Sequence, residues 1–155
     1  MKLKAILLGE SGVGKSTLLS AFRQSSTVVP TIGVDCLVHN NLQLWDTSGN
    51  KRFRYVIEAF YHKMDLAVFM YTNLENLAIV EDFRQKIDRK DLKKVLVYNG
   101  DEEKVKKQGE LYAEMYSMSL FYGNIKSVNV AKNIMKNLEE FARKEKHQWR
   151  YCWFY

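Results

Sequence analysis

Proline, cysteine and long apolar runs are the scarce features of this 155-residue sequence. It has one proline, Pro30, and two cysteines, Cys36 and Cys152, which stand far apart and without the spacing of metal ligands. This pattern excludes a disulfide-stapled scaffold and favours a reducing compartment, so we expect a cytoplasmic protein. No apolar run approaches the roughly 20 residues of a spanning helix, which argues against a transmembrane segment in this sequence.

Linkers, repeats and low-complexity tracts are missing as well, and the remaining composition is that of a globular domain. Hydrophobic residues make up 46% and charged residues 27% of the chain. A chain of this length buries a sufficient core without disulfides or a structural metal. We predict one domain over residues 1–147, followed by a short aromatic and basic tail over residues 148–155.

The positive charge is concentrated near the end of the chain. The net charge is +6, and residues 126–155 hold seven Lys or Arg against three Glu. Such a balance is typical of contact with nucleic acid or an anionic membrane, or of the solvated face of a terminal helix. An apolar stripe at helical spacing accompanies these charges and favours the solvated face, so we expect no nucleic-acid partner. The stripe consists of Ala131, Ile134, Leu138 and Phe141.

Short β-like runs alternate with amphipathic stretches, which is typical of βαβ units around a mainly parallel sheet. Strands are predicted over Lys4–Leu8, Val34–His39, Leu42–Trp45, Leu66–Tyr71, Lys94–Tyr98 and Ser119–Tyr122. Helices are predicted over Lys15–Phe22, Asn76–Asp88, Glu103–Tyr116 and Val128–Lys146. The second and third strands are expected to pair as an antiparallel hairpin, because asparagine at Asn40-Asn41 tolerates the positive φ of a tight turn. The expected fold is α/β, with an about six-stranded, mostly parallel sheet and helices on both faces.

The glycine-rich loop between the first strand and the first helix carries a specific motif. Gly9–Ser16 reads G-E-S-G-V-G-K-S and matches G-x-x-x-x-G-K-[ST] in the strand–loop–helix context of a P-loop NTPase fold. Its backbone N–H groups are expected to wrap a β-phosphate at the positive end of the helix dipole. Lys15 would reach the β- and γ-phosphates, and the Ser16 hydroxyl would bind Mg²⁺. The nucleotide-binding residues predicted here are Gly9, Ser11, Gly12, Val13, Gly14, Lys15, Ser16 and Thr17.

The third predicted strand runs into an acidic residue, and a glycine follows three residues later, in Trp45-Asp46-Thr47-Ser48-Gly49. An aspartate at the carboxyl end of a strand beside a P-loop suits a hold on Mg²⁺. The Gly49 N–H is expected to sense a γ-phosphate. This side of the site therefore predicts a nucleoside triphosphate and Mg²⁺ as ligands.

Two segments resemble the switch regions of Rab-type small GTPases, within the Ras-like superfamily. They are Pro30–Asp35, which reads P-T-I-G-V-D, and Trp45–Arg54, which reads W-D-T-S-G-N-K-R-F-R. With Phe60-Tyr61, the similarity spans most of Met1–Tyr71 and continues more weakly to the last helix. The resemblance implies a guanine-nucleotide switch that binds GTP or GDP with Mg²⁺, hydrolyses GTP and acts in membrane traffic or signalling.

The same resemblance implies roles for further residues. Thr31 would complete the Mg²⁺ shell with Ser16 and Asp46 and meet the γ-phosphate through its N–H. Effector, exchange-factor and GTPase-activating (GAP) proteins are the implied partners. The apolar switch surface that effectors are expected to read consists of Ile32, Trp45 and Tyr61.

The catalytic position departs from the family pattern. Members usually carry glutamine after the D-x-x-G motif to orient the attacking water, whereas Asn50 keeps the amide but is one methylene shorter. We expect catalytic roles for Asn50, Lys15 and Thr31, with slow or partner-dependent hydrolysis. The alternative is a pseudo-GTPase that presents a fixed Rab-like surface to a protein partner and turns over little or no GTP.

The base-binding motifs depart further. N-K-x-D appears as Asn99-Gly100-Asp101-Glu102, which keeps the asparagine, lacks the lysine that packs over the base, and leaves Asp101 or Glu102 as the carboxylate. A carboxylate there selects guanine because it accepts hydrogen bonds from groups that adenine does not offer. Of the S-A-K motif only Lys126 is retained, and the usual aromatic residue a few positions before Pro30 has no counterpart.

The tail Lys146–Tyr155 holds five aromatic residues beside basic ones. Cys152 stands at the C-a-a-X position, but the residues after it match prenylation signals poorly. Two interpretations stay open. The tail forms an amphipathic patch for a partner groove or for peripheral contact with the cytosolic face of a membrane, or its aromatic side chains fold back onto the domain.

Overall fold

The computed structural model describes residues 2–21, 34–87 and 89–144. Within them, six strands form one sheet in the order β2-β3-β1-β4-β5-β6. The strands are β1 Leu3–Leu8, β2 Val34–His39, β3 Leu42–Thr47, β4 Leu66–Tyr71, β5 Lys93–Tyr98 and β6 Ser119–Tyr122. All neighbouring strands are parallel except β2 and β3. The predicted α/β architecture with one antiparallel hairpin is confirmed.

The helices are α1 Lys15–Ser20, α2 Arg54–Glu58, α3 Leu74–Lys86, α4 Glu103–Met115 and α5 Val128–Arg143, with 3₁₀ turns at Lys51–Phe53 and Tyr61–Lys63. The α2 helix was not predicted, because five residues are too few to display an apolar period. The α3 helix begins before the predicted Asn76, since the Asn73 side chain caps it by accepting from the Asn76 N–H at 2.8 Å. No helix within the described ranges is long and apolar enough to cross a membrane.

Several predicted boundaries and segments lie outside the described residues. These are the predicted helix ends at Phe22, Asp88 and Lys146, the first switch segment up to Gly33, and the tail over residues 148–155 with Cys152. The division into a domain over residues 1–147 and a tail stays a prediction.

The β2–β3 hairpin forms one edge of the sheet. Asn40 at its turn has φ 50°, which confirms the expected use of asparagine there. On the edge strand, the Cys36 side chain is exposed, and the Gln43 side-chain amide donates to its sulfur at 3.2 Å. The residues immediately before β2 are those of the predicted first switch segment, so the hairpin anchors one end of that segment.

The sheet separates two apolar layers. On one face, residues such as Leu7 and Val97 pack with α1 and α5, and on the other, residues such as Phe69 and Leu96 pack with α2, α3 and α4. The central strands are therefore covered on both sides, as their continuous apolar runs predict. The helical stripe Ala131, Ile134, Leu138 and Phe141 is buried in the first layer, which confirms that it is core.

Candidate nucleotide-binding site

The loop between β1 and α1 lies at the carboxyl ends of the parallel strands, the usual ligand edge of such sheets. Gly9 has φ 154°, and a Cβ there would lie 2.5 Å from the Met70 carbonyl oxygen. Gly14 has φ 101°, and a Cβ there would lie 2.5 Å from Ile125 Cδ1 and 2.8 Å from Asn99 Nδ2. Both positions require glycine for conformation and for space. The loop is thus pressed against β4 at one end and against the base-motif residues at the other.

Lys15 folds back over this loop. Its ammonium group donates to the carbonyl oxygens of Gly9 at 2.8 Å and Glu10 at 2.7 Å, and the residue is only 6% exposed. Burial lowers the pKa of Lys15 to about 8, although the Asp46 and Glu10 carboxylates act in the opposite direction. The loop therefore holds a desolvated ammonium group where the motif predicts a phosphate, and a phosphate charge would favour its protonated form.

Ser16 on α1 and Asp46 on β3 meet beside this loop. The Ser16 hydroxyl donates to the Asp46 carboxylate at 2.5 Å, and Asp46 is 2% exposed. The next residue, Thr47, donates its hydroxyl to the Leu7 carbonyl oxygen at 2.5 Å and fixes the end of β3 against β1. Hydroxyl and carboxylate oxygens are the hard ligands that Mg²⁺ takes together with phosphate oxygens, so this donor set fits the ion. The third implied ligand, Thr31, lies outside the described residues.

The backbone after β3 passes directly over the P-loop. A Cβ on Gly49 would lie 2.2 Å from the Ser11 backbone nitrogen and 2.5 Å from the Glu10 carbonyl carbon. Real Cβ atoms do not approach other atoms this closely, so only glycine fits. The structure brings Gly49 against the loop that is expected to bind the phosphates, and its role as γ-phosphate sensor stays a prediction.

Asn50 closes a turn in the middle of the second switch segment. Its side-chain carbonyl oxygen accepts from the Arg52 N–H at 3.0 Å, and its own N–H donates to the Ser48 hydroxyl at 3.2 Å. Asparagine commonly closes such turns, and the longer glutamine side chain does so less readily. In this conformation the side-chain carbonyl oxygen of Asn50 accepts a hydrogen bond from the Arg52 backbone N–H. A water-orienting role would need that turn to open.

Arg54, the first residue of α2, reaches back to the P-loop and was missed by the sequence analysis. Its Nη2 lies 3.5 Å from Glu10 Oε1, and its Cζ lies 4.8 Å from the ring centroid of Phe83 on α3. The cation–π contact and the ion pair connect the second switch segment to the P-loop and to α3. The pair is 44 positions apart in the chain, and no linear motif relates the two residues.

On the base side, Asn99 joins three loops. Its Nδ2 donates to the Val13 carbonyl oxygen at 3.1 Å, and its Oδ1 accepts from the Ile125 N–H at 3.1 Å. The retained asparagine thus stands beside the P-loop, as expected for the base motif. The side chains of the other predicted base-site residues are exposed to solvent; these are Asp101, Glu102 and Lys126.

The predicted effector surface is only partly a surface. Trp45 is half-buried, and its ring centroid lies 5.2 Å from that of Phe60. Tyr61 is only 6% exposed and packs in the layer of α2 and α3, where burial raises its pKa to about 12. The expectation of a surface position for Tyr61 is wrong, because its 3₁₀ turn directs the ring inward and Arg89 holds its carbonyl oxygen at 3.1 Å. Ile32 lies outside the described residues.

Comparison with known proteins gives one family match and several similar proteins. Residues 4–102 match the family model described as Roc, the Ras of Complex domain of DAPkinase. The chain is 31% identical over 166 aligned positions to Ras-related protein Rab-1D of Dictyostelium discoideum, covering 94% of this chain and 80% of that relative. It is 36% identical over 112 positions to Ras-related proteins RABD2b and RABD2c of Arabidopsis thaliana, covering 62% of this chain and 55% of each relative. The family match includes the P-loop, the second switch segment and Asn99.

Proposed function

Because this chain belongs to the family of Rab-type small GTPases, we propose that the loops around Lys15 and Asp46 are its guanine-nucleotide site. The chain is a GTP-binding switch that holds GTP or GDP with Mg²⁺ and hydrolyses GTP. The family relationship supports this switch over a pseudo-GTPase with a fixed surface.

The phosphate groups are assigned to the P-loop backbone and Lys15. One observation carries this assignment: the Lys15 ammonium group is buried and folds back over the loop, where it donates to the carbonyl oxygens of Gly9 and Glu10. Ser16, Asp46 and Thr31 are assigned to Mg²⁺. When bound there, the ion would neutralise negative charge on the phosphate groups.

Hydrolysis is proposed to be slow without a partner. The Asn50 side chain is shorter than the usual glutamine and is engaged with the Arg52 N–H, so a GAP protein that opens this turn would accelerate the reaction. Guanine is assigned to Asp101 or Glu102, which stand at the carboxylate position of the base motif. Lys126 is assigned to the edge of the same site.

Effector, exchange-factor and GAP proteins are the partners that the Rab relatives imply in general. The surface proposed for them combines Trp45 with Ile32, and Tyr55 adds a side chain that is 74% exposed on α2. A role in membrane traffic, with peripheral contact on the cytosolic face through residues 148–155, is the accompanying proposal. Liposome flotation of the chain with and without those residues tests it, and equal flotation would contradict it.

Nucleotide exchange tests the site directly. The purified protein is expected to carry GDP or GTP and to take up GDP or GTP in preference to ATP. Ser16→Asn should abolish Mg²⁺-dependent GTP binding, because the longer amide side chain replaces the hydroxyl that meets Asp46. Ser20→Asn makes the same exchange at the other end of α1, where the hydroxyl donates to the Thr17 carbonyl oxygen, and should bind GTP normally. Equal loss in both variants would remove Ser16 from the assigned Mg²⁺ set.

A further inference from the structure

The last residue of β5 holds the base-motif loop through its hydroxyl group. Tyr98 is 2% exposed, and its hydroxyl accepts from the Glu102 N–H at 2.9 Å and donates to the Glu102 carbonyl oxygen at 3.3 Å. That carbonyl oxygen also accepts from the Lys106 N–H at 3.0 Å, within the first turn of α4. One buried hydroxyl thus ties the strand end, the loop and the start of the helix together.

The same ring occupies the space beside Gly100. A Cβ at position 100 would lie 2.6 Å from the Tyr98 hydroxyl oxygen and 2.7 Å from its Cζ. Contacts below about 3 Å force atoms to move, and a buried aromatic ring stacked on another ring moves only at a cost. Gly100 stands where the family motif has a lysine, and the Tyr98 ring leaves no room for any side chain there. The aromatic ring and the missing lysine are therefore two parts of one local rearrangement.

The ring is fixed from behind by a second tyrosine. Tyr71 at the end of β4 stacks on Tyr98 with ring centroids 5.1 Å apart and planes inclined by 24°. A Cβ on Gly109 of α4 would lie 1.7 Å from the Tyr71 hydroxyl oxygen, so the end of this side chain packs directly against the helix at Gly109. The stack with Tyr71 holds the Tyr98 ring in a position from which its hydroxyl group contacts the Glu102 backbone.

We propose that Tyr98 is a positioning residue for guanine recognition, which holds the Asp101–Glu102 backbone so that a carboxylate reads the base without the usual lysine. This inference rests on the proposed assignment of Asp101 or Glu102 to guanine. The chemistry is indirect, since Tyr98 is buried on the α4 side of the sheet and shapes the loop through backbone hydrogen bonds. Its effect is expected mainly at the base, because both hydrogen bonds of its hydroxyl group go to Glu102 and neither goes to the P-loop.

Tyr98→Phe and Tyr71→Phe form a matched pair for the test. Each removes one buried hydroxyl from the same stacked pair, but the Tyr71 hydroxyl has no hydrogen-bond partner among the described residues. The full chain is loaded with Mg²⁺ and titrated with GDP and with ADP, which share the diphosphate and differ in the base. Tyr98→Phe should lower GDP affinity about tenfold, the effect of one or two neutral hydrogen bonds, and leave ADP affinity unchanged. Tyr71→Phe should change neither affinity.

Three results would overturn the inference. They are an unchanged GDP-to-ADP ratio in Tyr98→Phe, a parallel loss of both affinities in that variant, and an equal fall of the ratio in Tyr71→Phe. A wild-type protein that binds GDP and ADP equally would overturn the guanine assignment together with the inference. Gly100→Ala is a second, independent variant, because it keeps the hydroxyl and displaces the ring, and it should lower the same ratio.

Discussion

On the phosphate side of the site, the side chains assigned to the ligands lie in or beside one short loop and are largely buried. On the base side, the side chains assigned to the base are exposed, and the loop that carries them is held through its backbone. Lys15 and Ser16 follow each other in the chain, and their partners are backbone oxygens and one buried carboxylate. On the base side, the Asn99 and Tyr98 side chains make two hydrogen bonds each, and all four go to backbone atoms. The two halves of the site are therefore built on different principles.

The difference has a physical origin. Phosphates are bound by backbone N–H groups, a cation and a metal, so few substitutions leave that geometry intact. A base is read by one or two hydrogen bonds on a rigid loop, and several different side chains can make that loop rigid. The phosphate side thus keeps its motif, whereas the base side keeps only Asn99 and Lys126 of its motifs.

Removing the Lys15 ammonium group is expected to have the largest effect. Lys15→Ala should weaken Mg²⁺-GTP binding about 10²-fold or more and Mg²⁺-GDP binding less, since each charged hydrogen bond to a phosphate contributes about 1.5–3 kcal/mol and GDP lacks the γ-phosphate. Fluorescent-nucleotide titration measures it, with Lys132→Ala on the exposed face of α5 as the control. Unchanged affinity in Lys15→Ala would break the proposed contrast, because the phosphate side would then not depend on this charge.

Lengthening the side chain at the catalytic position sharpens the phosphate side further. Asn50→Gln should raise intrinsic GTP hydrolysis, by less than the roughly 10²-fold that a misplacement of about 1 Å costs, because the turn to Arg52 is lost as well. Single-turnover hydrolysis with preloaded GTP measures the change. A slower variant would show that the turn matters more than the reach of the amide.

Asn99 connects the phosphate side to the base side of the site, and its replacement should weaken that connection. Asn99→Ala leaves the Val13 carbonyl oxygen and the Ile125 N–H without their partner, which should lower the free energy of unfolding by about 1–3 kcal/mol. GDP and ADP affinities should fall together, unlike the selective fall in Tyr98→Phe. Urea unfolding measures the stability, and Asn133→Ala, exposed on α5, is the control. A fall in GDP affinity alone would move Asn99 from the junction to base reading.

The smallest effect is expected on the acid stability of the contact between α3 and α4, through the titration of Glu81. Hydrogen bonds from Arg84, and also from Tyr112 of α4, lower the pKa of the Glu81 carboxyl group to about 2. Because the pKa is lower in the folded chain, this stabilisation is present above about pH 4.5 and is lost as the pH falls towards about 2. Glu81→Gln should reduce the loss of stability between pH 5 and pH 3 by at most about 1 kcal/mol.

Urea unfolding at those pH values checks this prediction, with Glu114→Gln, exposed on the same helix α4 as Tyr112, as the control. An unchanged acid slope in Glu81→Gln would show that the contact between α3 and α4 does not depend on this carboxylate.

The sheet was predictable because each central strand is a continuous apolar run between turn residues. β2, β4 and β6 have their predicted bounds, and β1 and β5 begin one residue earlier than predicted. The P-loop was predictable because the residues of its motif lie within seven positions of one another, although Asp46, the partner of Ser16, lies 30 positions further along the chain. Tyr98 looked like an ordinary strand residue, because its partner Glu102 and its neighbour Tyr71 become relevant only once the strand register is known. Tyr61 was misplaced for a similar reason: its inward direction depends on a 3₁₀ turn that leaves no pattern in the sequence.

The exposed thiol of Cys36 is a site for attaching a fluorescent label. Cys36 lies on β2 just after the first switch segment, its side chain is exposed, and β2 is the edge strand of the sheet among the described residues. In a Cys152→Ser background, a maleimide fluorophore would attach at this one site, on a strand whose backbone is fixed by β3. Any rearrangement of the neighbouring segment on exchange of GDP for GTP should then change the emission of the dye, which makes the conformational cycle observable in real time.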